Sequence, residues 1–195
     1  IGFFIILFLV ATAAFAPLLA PYEPYEQDLY NVLSGPSAAH WLGTDNVGRD
    51  LLSRFLYGGR VSLLLGLVST LLAAAIGVSL GLLAGFKGGL IDAAIMRVVD
   101  AILCFPFLVF LLAMAAALGG GLINLGVALV LFGWVFFARI VRGQVLLVRE
   151  LPYVEAARAA GASSARLMWR HILPNTLAPV IVAITLGIGN AILAE

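Results

Sequence analysis

The chain is 195 residues long, 63% hydrophobic and 11% charged, with a formal net charge of +1. A soluble domain of this length carries about a quarter charged residues, so this composition is that of a membrane protein. A charge so near zero argues against nucleic acid as a partner, and a single cysteine, Cys104, excludes an internal disulfide framework.

Residues 1–20 form a near-continuous apolar run, and about 20 such residues suffice to cross the hydrocarbon core. Ala14-Phe15-Ala16 also fits a signal-peptidase site, but no basic stretch precedes it, and a first span is the preferred reading. Residues 21–60 are polar and irregular at first, with Pro21, Pro24, Gly35 and Pro36, while Tyr22, Tyr25 and Tyr30 suit a membrane interface. Asp50 is placed to cap a short helix over 51–57, whose Leu51, Leu52, Phe55 and Leu56 share one face and would lie along the membrane surface. Asp45, Asn46 and Asp50 read as turn formers and caps, because they lack the spacing of a calcium loop.

Residues 61–86 make the second span. Ala73, Gly77, Gly81 and Gly85 recur every four residues, which lets another helix approach closely; a ridge within this chain and a seam with a partner subunit fit equally well. A short polar link follows, where Arg97 and Asp100 are spaced to pair at i,i+3. The third span, 101–118, should kink at Pro106, with Cys104 beside it a buried small hydrophobe. Gly119-Gly120-Gly121 makes a turn, and 122–141 returns as the fourth span. Arg139, Arg142 and Arg149 share one helical side, suited to anionic headgroups. The fifth span is 176–194. Its Asn190 is a rare polar side chain in an apolar run; it fits a path lining, and an interhelical hydrogen bond is the preferred reading.

Between the last two spans lies the longest polar, helix-prone interval, 150–174. Pro152 fits a first helical turn and Glu155 lies near that positive end, with Arg158 at i,i+3. Gly161 is placed to end the helix in a left-handed conformation, and Ser163 or Ser164 to cap a second one, ending before Pro174. Leu167, Met168 and Trp169 alternate with Arg166, Arg170 and His171, so one side is apolar and the rest basic. Such a surface suits a groove on another protein; for Trp169 the alternative is an anchor at the lipid interface.

This interval resembles the EAA loop of permease subunits of ABC importers, written E-A-A, three residues, G, nine residues, I, any residue, L-P. Glu155, Ala156, Ala157, Gly161, Leu173 and Pro174 fall in register, whereas His171 stands at the isoleucine position, with Ile172 one place late. Arg170 to Asn175 is similar to the version in the dipeptide, oligopeptide and nickel branch. His40 to Asp50, Ser53-Arg54, Tyr57-Gly58 and Arg60 to Leu63 resemble the segment before the second membrane helix of that branch's "C" permease. Asp100, Phe105-Pro106-Phe107 and the final Ala191 to Glu195 agree, so the resemblance covers almost the whole chain.

The resemblance implies an all-α, polytopic permease in the bacterial or archaeal cell (inner) membrane, with five spans here and six in the full subunit. The missing Met and the apolar end at Glu195 fit a part of such a protein. It also implies a second homologous permease subunit, two cytoplasmic ATPase subunits and an extracytoplasmic solute-binding protein, besides membrane lipid. Glu155, Ala156, Ala157, Gly161, Leu167, Met168, Trp169, Leu173 and Pro174 would couple to the ATPase, and Gly77, Gly81, Gly85 and Asn190 would line the path or pack helices. The implied solutes are dipeptides or oligopeptides, with nickel or glutathione as alternatives. No cofactor, metal or catalytic group is implied.

Orientation comes from the cations. Lys87, Arg97, Arg139, Arg142, Arg149, Arg158, Arg166 and Arg170 fall on one side and Arg49, Arg54 and Arg60 on the other, which places the EAA loop in the cytoplasm and 21–60 outside. The chain carries no G-x-x-x-x-G-K-[ST], so ATP hydrolysis is expected in a separate subunit. A secondary transporter would need ionisable residues or broken helices at mid-membrane, and an intramembrane serine protease a buried serine and base; His40 and His171 lie in polar links on opposite sides. Hydropathy alone leaves a channel subunit open, and only the EAA cassette argues strongly against it.

Overall fold

A computed structural model describes residues 2–195. Among them the elements are helices only: α1 (Gly2–Ala14), α2 (Ala16–Leu19), α3 (Leu51–Lys87), α4 (Gly89–Leu103), α5 (Phe107–Leu118), α6 (Leu122–Val148), α7 (Pro152–Ala159), α8 (Ser164–Arg166), a π-helical turn (Leu167–Ile172) and α9 (Leu173–Ala194). The described residues form two compact units, 2–64 and 65–195, whose boundary falls inside α3.

In the first unit the apolar run begins as the 13-residue α1, whose described side chains from Phe4 to Val10 face outward. An outward apolar surface of that kind suits lipid. Residues 20–50 contain no helix, and backbone bonds fold them: Leu33 N–H to the Asp45 carbonyl, Thr44 N–H to Ser34 and Leu51 N–H to Gly43, each 3.0 Å. Asp45 closes a turn by accepting from the amides of Val47 (2.9 Å) and Arg49 (3.0 Å), and also pairs with the Arg49 and Arg54 guanidinium groups. Asp50 accepts from the Ser53 amide at 2.7 Å and hydroxyl at 2.8 Å, and from the other side meets the His40 ring at 3.0 Å.

The helix capped by Asp50 does not end at Tyr57. It continues as the 37-residue α3, so the surface helix expected over 51–57 is instead the first turns of a longer one. Gly58 and Gly59 fail to break it because each lowers helix propensity by only about 1 kcal/mol, which good helix formers on both sides offset.

The second unit is built around α6, where Phe132, Val135, Ala138, Val141 and Val145 are all buried. The residues 65–87 of α3 press on it through the glycine ridge. A Cβ on Gly81 would lie 2.5 Å from the Ala138 carbonyl oxygen, one on Gly85 2.8 Å from the Val145 Cβ, and one on Gly77 would overlap the Trp134 carbonyl. The ridge therefore packs inside this chain. From the other side, Phe107 and Phe110 of α5 meet Phe132 at ring centroid distances of 5.1 and 5.3 Å.

Among the described residues, three helical stretches are long and apolar enough to cross a membrane: Leu51–Lys87, Leu122–Val148 and Ser164–Ala194. The expected third span, 101–118, takes in α5 and only the end of α4, and these two helices are bent by 86° to each other. Pro106 ends the first rather than kinking it, because the three residues from Cys104 leave the helix and Pro106 takes an extended ψ of 133° before α5. Cys104, expected to be buried, sits at this corner and is exposed. The polar stretch before it is helical and belongs to α4. Its Asp100 does not pair with Arg97 but with Arg139 of α6 at 2.5 Å. The next arginines likewise reach protein groups: Arg142 of α6 grips Asp92, and Arg149, just past the end of α6, donates to the Gly85 carbonyl at 2.8 Å.

Candidate functional site

The loop 150–174 is shaped by local chemistry. Pro152 occupies the first turn of α7, with Glu155 in that turn. The helix closes at Gly161, whose φ of +82° is left-handed. Its N–H reaches the Arg158 carbonyl, and the Ala162 N–H reaches back to Ala157, both at 3.0 Å. This pair of bonds is the Schellman closure, and glycine takes its left-handed position without a Cβ clash. Ser163 then caps α8, its hydroxyl accepting from the Arg166 amide at 3.3 Å.

Pro174 does not stop the second helix as its position predicts. The chain passes from α8 into a π-helical turn, where the Leu173 N–H reaches the Met168 carbonyl five residues back, and Pro174 falls in the first turn of α9. In an α-helix the proline ring would strike the carbonyl four residues before it; the wider π-turn relieves that clash. Two side chains tie the turn down: Asn175 Nδ2 donates to the His171 carbonyl at 2.7 Å and the Tyr153 hydroxyl donates to it at 3.3 Å.

The loop has two faces. Val154 (0%), Leu167 (2%) and Ile172 (0%) are buried in one cluster with Leu82, Val141, Val145, Val148 and Val180. Each such burial is worth about 1.5–3 kcal/mol. Glu155, Ala156, Gly161, Trp169 and Pro174 are exposed, with Met168, Ala157 and Leu173 half-buried. Leu167, expected as a docking contact, is therefore an inward anchor, and Trp169, 59% exposed, is the most exposed large apolar group of the loop, ahead of Leu151 and Tyr153. The loop's three arginines, Arg158, Arg166 and Arg170, are exposed as well. The expected Glu155–Arg158 pair is not formed among the described residues.

Val154 and Ile172 were not legible as anchors. Leu167 and Ile172 are five apart, a spacing that separates them on an α-helix and aligns them only in a π-turn. The available signal was the proline just after them.

A second feature lies between α3, α5, α6 and α9: a cavity of about 530 Å³, walled by Phe107, Phe132, Phe137 and Leu186, with Ser69, Thr70 and Asn190 as polar members. Ser69 donates to the Leu65 carbonyl of its own helix at 2.6 Å. Asn190 is exposed and has no hydrogen-bond partner among the described residues, so the interhelical bond preferred for it is not present.

Residues 77–195 match the family described as binding-protein-dependent transport system inner membrane component. The chain belongs to that family. Its first 36 residues match the N-terminal TM domain of oligopeptide transport permease C. Among curated relatives of this transport component, a dipeptide transport system permease protein of Bacillus subtilis is 42% identical over 100% of the chain and 61% of that protein. A probable D,D-dipeptide transport system permease protein of Escherichia coli is 48% identical over 97% of the chain and 63% of its own length. A glutathione transport system permease protein of Pectobacterium atrosepticum is 42% identical over 98% and 64%. The chain thus spans somewhat under two thirds of the length of these relatives. Within the family match lie the glycine ridge, the loop 150–174 and α9.

Proposed function

We propose that the chain is the membrane-embedded part of a permease subunit in an ATP-driven importer of dipeptides or oligopeptides. The observation that carries this reading is the two-faced loop, a helix, a Schellman glycine and a second helix, anchored by Val154, Leu167 and Ile172 and presenting Trp169 with three arginines. A buried face fixes the loop to the transport bundle, so a force on the exposed face moves that bundle.

In this reading the loop lies in the cytoplasm, as the distribution of cations supports. Two ATPase subunits grip it and the equivalent loop of a second, homologous permease. Their closure on ATP switches the central path from inward-open to outward-open, and a binding protein outside delivers the solute. ATP hydrolysis resides in those separate subunits, since this sequence has no phosphate-binding loop. The cavity beside Asn190 is part of the solute path. A peptide solute is supported by the relatives, whose names specify dipeptides, D,D-dipeptides and glutathione, itself a short peptide.

The test is ATPase activity and uptake in proteoliposomes, using the full-length subunit with the partners encoded beside it, for wild type and Gly161→Pro. Proline cannot adopt φ +82° and removes the amide that bonds Arg158. The expected result is a variant that reaches the membrane but loses peptide-stimulated ATPase activity and uptake together. Uptake that persists in the variant while the ATPase subunits fail to bind would sink the reading in favour of a secondary transporter or channel.

A further inference from the structure

One helical stretch, Arg139 to Val148 of α6, holds two different parts of the second unit at once. On one side its Val141, Val145 and Val148 receive the loop anchors Val154, Leu167 and Ile172. On the other side Arg139 and Arg142 reach α4. Arg142 binds Asp92 with both arms, Nε to Oδ1 at 2.5 Å and Nη2 to Oδ2 at 2.6 Å. The two side chains are only 33% and 17% exposed. The neighbouring Arg139–Asp100 pair is more than half exposed, at 55% and 54%, and is correspondingly weaker.

The helix α4 is held by a narrow apolar face. Val99 is its one buried residue, with Met96, Ile102 and Leu103 half-buried against the same cluster. A paired guanidinium and carboxylate fixes angle as well as distance, which a single-point contact does not. At its far end α4 turns by 86° into α5, whose Phe107 and Leu108 wall the 530 Å³ cavity. The order of contacts is therefore loop, α6, Asp92, α4, α5, cavity wall.

We propose that Asp92 and Arg142 are a positioning pair: a rigid strut that carries displacement of the loop 150–174 through α6 to the bent α4–α5 pair and reshapes the cavity. The strut rests on the functional reading above. It assigns coupling to two residues outside the EAA loop, and to a paired geometry rather than to either charge alone.

The experiment uses the assembled transporter in proteoliposomes, with wild type, Asp92→Asn, Arg142→Lys and the exchange Asp92→Arg with Arg142→Asp. Basal ATPase rate, peptide-stimulated ATPase rate and peptide uptake are each divided by the amount of assembled complex. Arg142→Lys keeps the charge and loses the fork. It is expected to retain basal hydrolysis while uptake per ATP falls by about tenfold, within the usual range for coupling between sites. The exchange is expected to recover part of that loss. In a Cys104→Ser background, Leu108→Cys should change its labelling rate with ATP in wild type, and lose that change in Arg142→Lys.

A merely structural role predicts otherwise: less assembled complex, with uptake per ATP and the ATP-dependent labelling of Leu108→Cys unchanged. That result overturns the strut while leaving the importer reading intact. If wild type itself hydrolyses ATP and takes up no peptide, the functional reading falls, and the strut falls with it.

Discussion

Leu167 and Trp169 are two positions apart and face opposite ways, the first 2% and the second 59% exposed. Under the function proposed here, their separation divides stability from docking within one turn of chain. Leu167→Ala empties a site among Val141, Val145 and Val154, and should lower stability by about 2–5 kcal/mol. Trp169→Ala removes an exposed side chain and should change stability by no more than about 0.5 kcal/mol. Thermal unfolding of the purified subunit reads the first effect. Co-purification of the ATPase subunits reads the second, with Trp169→Ala expected to release them. Equal losses of stability in the two variants would show that the faces are not distinct.

The glycine ridge gives a prediction with a control inside the same helix pair. Gly81→Val places a branched side chain where even a Cβ is 2.5 Å from the Ala138 carbonyl, and backbone cannot give way as a side chain does. The expected loss is about 1–3 kcal/mol or more. Gly143, on the exposed side of α6, has nothing within 4 Å of an added Cβ. Gly143→Ala should therefore raise stability by up to about 1 kcal/mol, since alanine is the better helix former. Comparing the two melting temperatures checks both signs.

Sequence periodicity carried this ridge, because a four-residue repeat of small side chains has one structural use, close approach. It did not say which helix approaches, since Trp134 to Val145 bears no complementary repeat. Gly161 was legible for a related reason: a helix former on one side and a capping serine on the other leave a turn, and glycine fits it. The prolines misled in two directions. Pro106 produced a corner where a kink was expected, and Pro174 produced no stop, because a π-turn had already changed the hydrogen-bond register. The ion pairs of α6 were missed because Asp92 and Arg142 are remote in sequence, and local spacing pointed Asp100 to Arg97 instead.

The segment 20–50 should respond to acid in one direction. Burial works against ionisation of Asp50, but the Ser53 amide, the His40 ring and the Ser53 hydroxyl outweigh it and hold its pKa below 3.8. For Asp45, burial is outweighed by the Val47 and Arg49 amides and by the two guanidinium groups, again lowering the pKa. A carboxylate with a lowered folded pKa contributes stability that is fully present above its unfolded value and lost as pH falls through the folded one. Amide protection at Thr44 and Ser53, corrected for intrinsic exchange, should stay level from neutral pH to about 4 and fall below that. Asp50→Ala removes the α3 cap and should weaken protection already at neutral pH, by about 1 kcal/mol. Wild-type protection that stays level far below 3.8 would remove the carboxylates from the account.

Asn190 supplies the last test, because its amide has no partner among the described residues and opens on a cavity walled by phenylalanines. An unpaired amide facing only hydrocarbon would cost several kcal/mol, so water, solute or a partner subunit must satisfy it. The three differ in what Asn190→Leu does. With water and solute as the partners, the variant keeps its stability and its assembly yield, and peptide uptake drops about 2- to 10-fold, the equivalent of one neutral hydrogen bond. With a second permease subunit as the partner, assembly yield falls first and uptake follows in proportion. Measuring uptake per assembled complex, beside yield, separates these outcomes. The path reading given to this cavity requires the first: a variant as abundant and as stable as wild type that moves peptide more slowly.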